Sequence, residues 1–157
     1  MKTMIVAGLA LAGLAAGAPA GAADAKLEAP INQFVNDFNK GDAKGAAAAH
    51  LPSVSIMDEV APHLWQGPKA FESWAAALAA HDKAAGMTDQ AVALGAFTRE
   101  VVSGPMAYVV VDATYTFKQK GAAMREPAQM TFALRKTAKG WKIAGWTWTG
   151  PDPKPAP

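Results

Sequence analysis

The chain has 157 residues, 51% of them apolar, and its 15 Lys and Arg against 13 Asp and Glu leave a formal net charge of +2. No basic stripe with interleaved aromatics runs through it, which speaks against a nucleic-acid partner. The absence of cysteine excludes disulfides, thiolate metal sites and lipid attachment at a cleavage-site cysteine.

The first residues read as a secretory leader over 1–22: Lys2 is a charged start, an apolar run follows from Met4 to Ala16, and Ala18-Pro19-Ala20 and Ala20-Gly21-Ala22 offer small-residue cleavage sites. The run is shorter than the roughly 20 residues that span a bilayer, so no membrane anchor is expected after cleavage. Export without disulfides fits a bacterial periplasmic or secreted protein. Residues 23–150 then form one domain with enough bulk for a core. The proline-rich tail, 151–157, reads as disordered.

Leu27, Ile31, Phe34, Val35 and Phe38 recur at helical spacing and predict an amphipathic helix that Gly41 ends, with Asp42 capping the next. That second helix is short and alanine-rich, and His50-Leu51-Pro52 stops it. Ser53 to Asp58 predicts a strand, with Leu64 to Gln66 as its short hairpin partner. Gly67-Pro68 opens a third helix that carries Phe71, Trp74 and Leu78 on one face. Beyond Gly86 the pattern alternates in four segments, Gln90–Ser103, Met106–Lys118, Met124–Thr137 and Trp141–Thr149, separated by glycine-containing turns. Three helices followed by a four-strand meander predict an α+β fold with the helices on the concave face of a curved antiparallel sheet.

Asn39-Lys40-Gly41-Asp42 at the first helix junction, Gly67 before a helix bearing Phe71 and Trp74, and the closing Gly140-Trp141-Lys142-Ile143 resemble the nuclear transport factor 2-like, or SnoaL-like, superfamily of cone-shaped α+β domains. The N-terminal half is most similar to bacterial ketosteroid isomerases, with Phe34, Gly41, Asp42, Asp58, Gly67 and Trp74 on that family's landmarks. The resemblance implies that Asp58 matches the family's general base and Trp74 an aromatic residue that packs against the ligand. It also places Phe34 and Met130 where the family has its tyrosine and its protonated aspartic acid, the two donors that polarise the substrate carbonyl. Neither replacement donates a hydrogen bond. Losing one such donor costs about 2.7–4 kcal/mol of transition-state stabilisation, so losing both slows enolisation by roughly four orders of magnitude. The acid of the polyketide cyclases has no counterpart in Gly145–Thr149, and no Asp-Arg-Asp relay of the epoxide-hydrolase kind is assembled.

Asp58 therefore has two readings: a cavity-facing base, or a strand-end residue capping the turn at Glu59 to Pro62. Phe34, Trp65, Trp74, Tyr115 and Met130 are the expected substrate-binding wall, and His63, close to Asp58 and Trp65, is a candidate second acid or base. His50 and His81 are read as helix-end residues complementing the dipole. No histidine pair has metal-ligand spacing, Ser103 lies outside a G-x-S-x-G elbow, and Gly67-Pro68-Lys69-Ala70 is no phosphate loop, so neither metal nor cofactor is expected.

On the last strand Trp141 and Ile143 share one face and Trp146 and Trp148 the other. This puts the two latter tryptophans on the outer face of the sheet, as a homodimer surface, unless a bulge at Ala144-Gly145 swaps the faces. Two functions compete: binding of a small, mostly apolar molecule with proton transfer at Asp58, and a non-catalytic homodimeric interaction domain.

Overall fold

The computed structural model describes residues 24–157; the leader expected over 1–22 lies outside them. Helix α1 (Ala25–Asn39) starts at Asp24, whose side chain accepts from the Lys26 amide, and it buries Leu27, Ile31, Phe34 and Val35. Gly41 takes φ +69°, a left-handed conformation that glycine adopts without strain, and Asp42 caps α2 (Ala43–Ala48) by accepting from the Gly45 amide. Strand β1 (His50–Met57), strand β2 (Leu64–Gly67) and helix α3 (Ala70–Ala85) follow. Pro68 stands two residues ahead of α3 rather than in its first turn, because Lys69 is the N-cap residue. Strands β3 (Met87–Ser103), β4 (Met106–Gln119), β5 (Ala122–Thr137) and β6 (Gly140–Thr149) make the meander. Among the described residues no helix is long and apolar enough to cross a membrane.

The sheet runs β2-β1-β6-β5-β4-β3 and stays open, with β2 and β3 at its edges. It is mixed rather than wholly antiparallel, since β1 lies parallel to β6. Alternation sets the rest: Val109, Val111, Phe132, Leu134 and Ile143 are fully enclosed, facing helix residues such as Leu27 and Ile31. Each such side chain contributes about 1.5–3 kcal/mol relative to exposure. Asn39 fastens the end of α1 to the edge strand, donating to the Val92 carbonyl and accepting from the Val92 amide, both at 2.8 Å.

The last strand takes the bulged alternative, and the tail departs from the expected disorder. Between β5 and β6, Ala133 pairs with Gly145 but Leu134 with Ile143, so Ala144 is an extra residue and the faces of β6 switch there. Trp146, 5% exposed, and Trp148 therefore point to the helix side, and the outer sheet face is made without them. Gly145 also permits the parallel crossing, because a Cβ there would stand 2.8 Å from the Ser55 carbonyl oxygen. The tail is ordered as well: β7 (Lys154–Pro155) pairs with Met124 and Arg125 of β5, and the Ala156 amide donates to the Ala123 carbonyl at 2.9 Å. β6 ends opposite Gln129, so the first half of β5 has a free edge that the tail takes up.

Candidate functional site

Between the helices and the concave face lies a cavity of about 60 Å³. Helix α1 supplies Phe34, Val35 and Phe38, and α3 supplies Trp74 and Leu78. The sheet adds Val92, Tyr115, Met130, Trp146 and Trp148, while Asp58, Glu59 and Val60 close it from the β1–β2 loop. At roughly 10–15 Å³ per enclosed water, the space admits on the order of five waters, enough for a compact group and too small for a steroid nucleus. A second recess of about 170 Å³ runs between the helices and Gln90, sharing Phe38, Trp74 and Leu78 with the first.

Asp58 does both things the sequence allows. Its Oδ1 accepts from the Val60 amide at 2.9 Å, capping the turn, while its Oδ2 accepts from Trp74 Nε1 at 3.0 Å at the cavity wall. The loop holds it firmly: the Asp58 amide donates to the His63 carbonyl and the His63 amide to the Val60 carbonyl. Beside it, Glu59 reaches solvent on one side, yet partial burial first, and then the charges of Glu126, Asp58 and Asp152, push its carboxyl up to about 7.

On the α2 side, Trp146 Nε1 donates to His50 Nε2 at 3.1 Å, and His50 Nδ1 lies 2.9 Å from the Ala46 carbonyl. Those partners fix the neutral tautomer with the proton on Nδ1. Burial is the main reason the imidazole is lowered to about 4, outweighing the bond to Ala46. Phe34 stands edge-on to His50 with ring centroids 4.8 Å apart, and Trp74 is perpendicular to Trp146 at 5.0 Å.

Glu126 of β5 is wholly buried behind Trp148, which donates to its Oε1 at 2.7 Å, and its Oε2 has no partner among the described residues. Burial, with Asp58 and Asp152 adding to it, raises its carboxyl above the ordinary value, against the opposing bond from Trp148. Its register neighbour Tyr115 is 8% exposed and its hydroxyl is likewise unpartnered. Burial, then Asp82 and the carboxylates of this cluster, push that phenol up.

A family model described as "SnoaL-like domain" matches residues 27–147. The chain belongs to the SnoaL-like domain family. No curated protein is significantly similar in sequence. Solved structures share the fold: a ketosteroid isomerase-like protein from Erwinia carotovora atroseptica is 22% identical, with a TM-score of 0.64 over 82% of this chain and 96% of that one. A nuclear transport factor 2-like superfamily protein from Salmonella enterica serovar Typhimurium is 17% identical, with a TM-score of 0.66 over 81% and 89%. A hexachlorocyclohexane dehydrochlorinase is 13% identical, with a TM-score of 0.66 over 83% and 88%. These likenesses show that the SnoaL-like domain shares the α+β fold of those proteins.

Of the residues singled out in the sequence, Asp58, Phe34, Trp74, Tyr115 and Met130 meet around the cavity of this SnoaL-like domain. Trp65 does not; it is buried on β2, opposite Ile56, in the core. His63 does not either: it is exposed at φ +76° and its Nδ1 lies 3.3 Å from the Asp58 backbone carbonyl, not from the carboxylate. Sequence reasoning missed Glu59 and Glu126. Glu126 carries a readable signal, since Glu126, Met130, Phe132 and Leu134 fall on alternate, inward positions of one strand, where a carboxylate is out of place. Among the described residues no group of three His, Asp or Glu side chains is placed to hold a metal ion.

Proposed function

We propose that this SnoaL-like domain is exported and binds a small, largely apolar molecule, or the compact head of a larger one, in the cone cavity, with Asp58 meeting the polar end of the ligand. The observation that carries this reading is an aromatic cavity whose wall contains a carboxylate and a buried, unpartnered tyrosine hydroxyl. Nuclear magnetic resonance with 3,3-dimethylbutan-1-ol as probe tests it. Shifts confined to the indole N–H signals of Trp74 and Trp146 and to the Met130 methyl support the reading, whereas no saturable shift at those groups overturns it.

Proton transfer at Asp58 of the ketosteroid-isomerase kind is the second reading, favoured by one observation: the Tyr115 hydroxyl is free to donate where Phe34 and Met130 cannot. Loss of turnover of a small enolisable ketone such as 3-cyclohexen-1-one in Asp58→Asn supports it, and absence of turnover in the wild type ends it. Pairing of two copies through the outer sheet face is proposed on different residues from those first expected, with the cross-strand partners Val101 and Tyr108 as its exposed apolar groups. Tyr108→Glu then lowers the mass seen in sedimentation; an unchanged monomer in both proteins refutes the pairing.

A further inference from the structure

What the cavity offers a ligand is lopsided. Its three indole N–H groups are all committed to protein acceptors: Trp74 to Asp58 at 3.0 Å, Trp146 to His50 at 3.1 Å, and Trp148 to Glu126 at 2.7 Å. These side chains therefore present π surface and no donors. Phe34 and Phe38 add further π surface, and the polar groups left in the wall are the carboxylates of Asp58 and Glu59 and the Tyr115 hydroxyl. Among the described residues no Lys or Arg lines the cavity. Among the described residues the ion pairs are Lys40–Asp37 and Lys118–Asp89, and neither involves these acids.

Glu126 and Asp152 stand close enough to act on Glu59, so acidic groups gather on one side of an aromatic enclosure, and a nearby positive charge would favour their ionised forms. A ligand carbonyl or anion would find one donor and several repelling charges there. A positive group would find indole faces, whose quadrupole is negative, together with carboxylates at short range.

We propose that the cavity recognises a small organic ammonium ion, enclosed by the aromatic side chains that line it, Trp74, Trp146 and Trp148 among them, and balanced by the carboxylates of Asp58 and Glu59. The inference rests on the proposed binding function and adds the charge of the ligand to it. The buried hydroxyl of Tyr115, without a partner among the described residues, is the group that meets a polar substituent on such a ligand. The size agrees, since a trimethylammonium head is comparable to a cluster of a few waters, the content that about 60 Å³ allows. Binding is linked to protons. Glu59 faces Asp58 in its own loop, Glu126 on β5, Tyr115 on β4, with Asp82 of α3 behind it, and Asp152 in the tail, and all of these are acids, so a bound cation favours their ionised forms.

Calorimetry of the purified protein with choline and with 3,3-dimethylbutan-1-ol, its neutral isostere with carbon in place of nitrogen, tests the proposal. Choline is expected to bind at least tenfold more tightly than the isostere, with affinity rising as the pH passes upward through about 7, where Glu59 ionises. Glu59→Gln should lower choline affinity severalfold and change that of the isostere by a clearly smaller factor. Because Asp58 also caps its turn, Glu59→Gln is the decisive variant, with Asp58→Asn as a second. Equal binding of the two probes, without pH dependence, overturns the cation inference and leaves the binding function standing. No binding of either probe overturns both.

Discussion

The cavity has two sides that treat their polar groups differently. Around His50 and Trp146 every buried polar atom is paired, the imidazole is kept neutral, and the aromatic rings of Phe34, Phe71 and Trp74 pack against one another with centroids 5.5–6.2 Å apart. Around Tyr115 and Glu126 the aromatics are as close, with Tyr115 and Phe117 at 4.9 Å, yet a hydroxyl and a carboxyl oxygen lie buried without a partner among the described residues. Leaving such a group unpaired costs about 1–3 kcal/mol. A fold tolerates that where something else meets the group, so the polar contacts of a ligand fall on the Tyr115 side, while the Trp146 side offers it packed aromatic wall.

The largest effect expected from this contrast is at Trp146. Trp146→Ala should lower stability in urea denaturation by about 3–5 kcal/mol, whereas Trp148→Ala, at a half-buried position, should cost only about 1–2 kcal/mol. Equal losses would erase the distinction between the two sides. Gly145→Ala comes next, at about 1–3 kcal/mol, since its new methyl group meets the Ser55 carbonyl where β1 crosses β6; a variant as stable as the wild type would show that the crossing can open. Tyr115→Phe should have the opposite sign and stabilise the protein by about 1 kcal/mol, because it removes a hydroxyl that has no partner. A loss of that size would reveal a hidden partner for the hydroxyl.

The two sides should also respond to pH with opposite slopes. Glu59 is raised from 4.5 to about 7, so the folded protein holds the proton longer and its stability falls, relative to Glu59→Gln, as the pH rises from 4.5 to 7. His50 is lowered from 6.5 to about 4, so the unfolded chain takes the proton first and the stability of the wild type rises, relative to His50→Gln, as the pH climbs from 4 to 6.5. Chemical denaturation across pH 4–8 reads both. Slopes of the same sign would contradict the assignment.

The order of elements was legible because helical and alternate spacing in this chain are long and clean, from Leu27 to Phe38 and through the four long strands. Half of the cavity wall was legible for the same reason: Phe34, Trp74 and Met130 are inward positions on regular elements. For Trp146 and Trp148 the sequence leaves two faces open, and the bulge at Ala144 decides between them, because one extra residue reverses all that follows it on a strand of period two. The sheet's mixed character was not legible either, since the parallel contact of β1 with β6 joins segments about ninety residues apart and rests on Gly145 coming close to Ser55. His63 and Trp65 looked like site residues from their nearness to Asp58 in sequence, but the turn that holds Asp58 directs them away. The acids of the cluster come from three places, Glu59, Glu126 and Asp152, and only the folded chain brings them together.

The most direct test of the account is a crystal structure of the protein grown with tetramethylammonium chloride and compared with one grown without it. Density for one cation is expected, enclosed by Trp74, Trp146 and Trp148 and within contact of Asp58 and Glu59. Side chains collapsed into the cavity, with the cation found only at the surface, would contradict it.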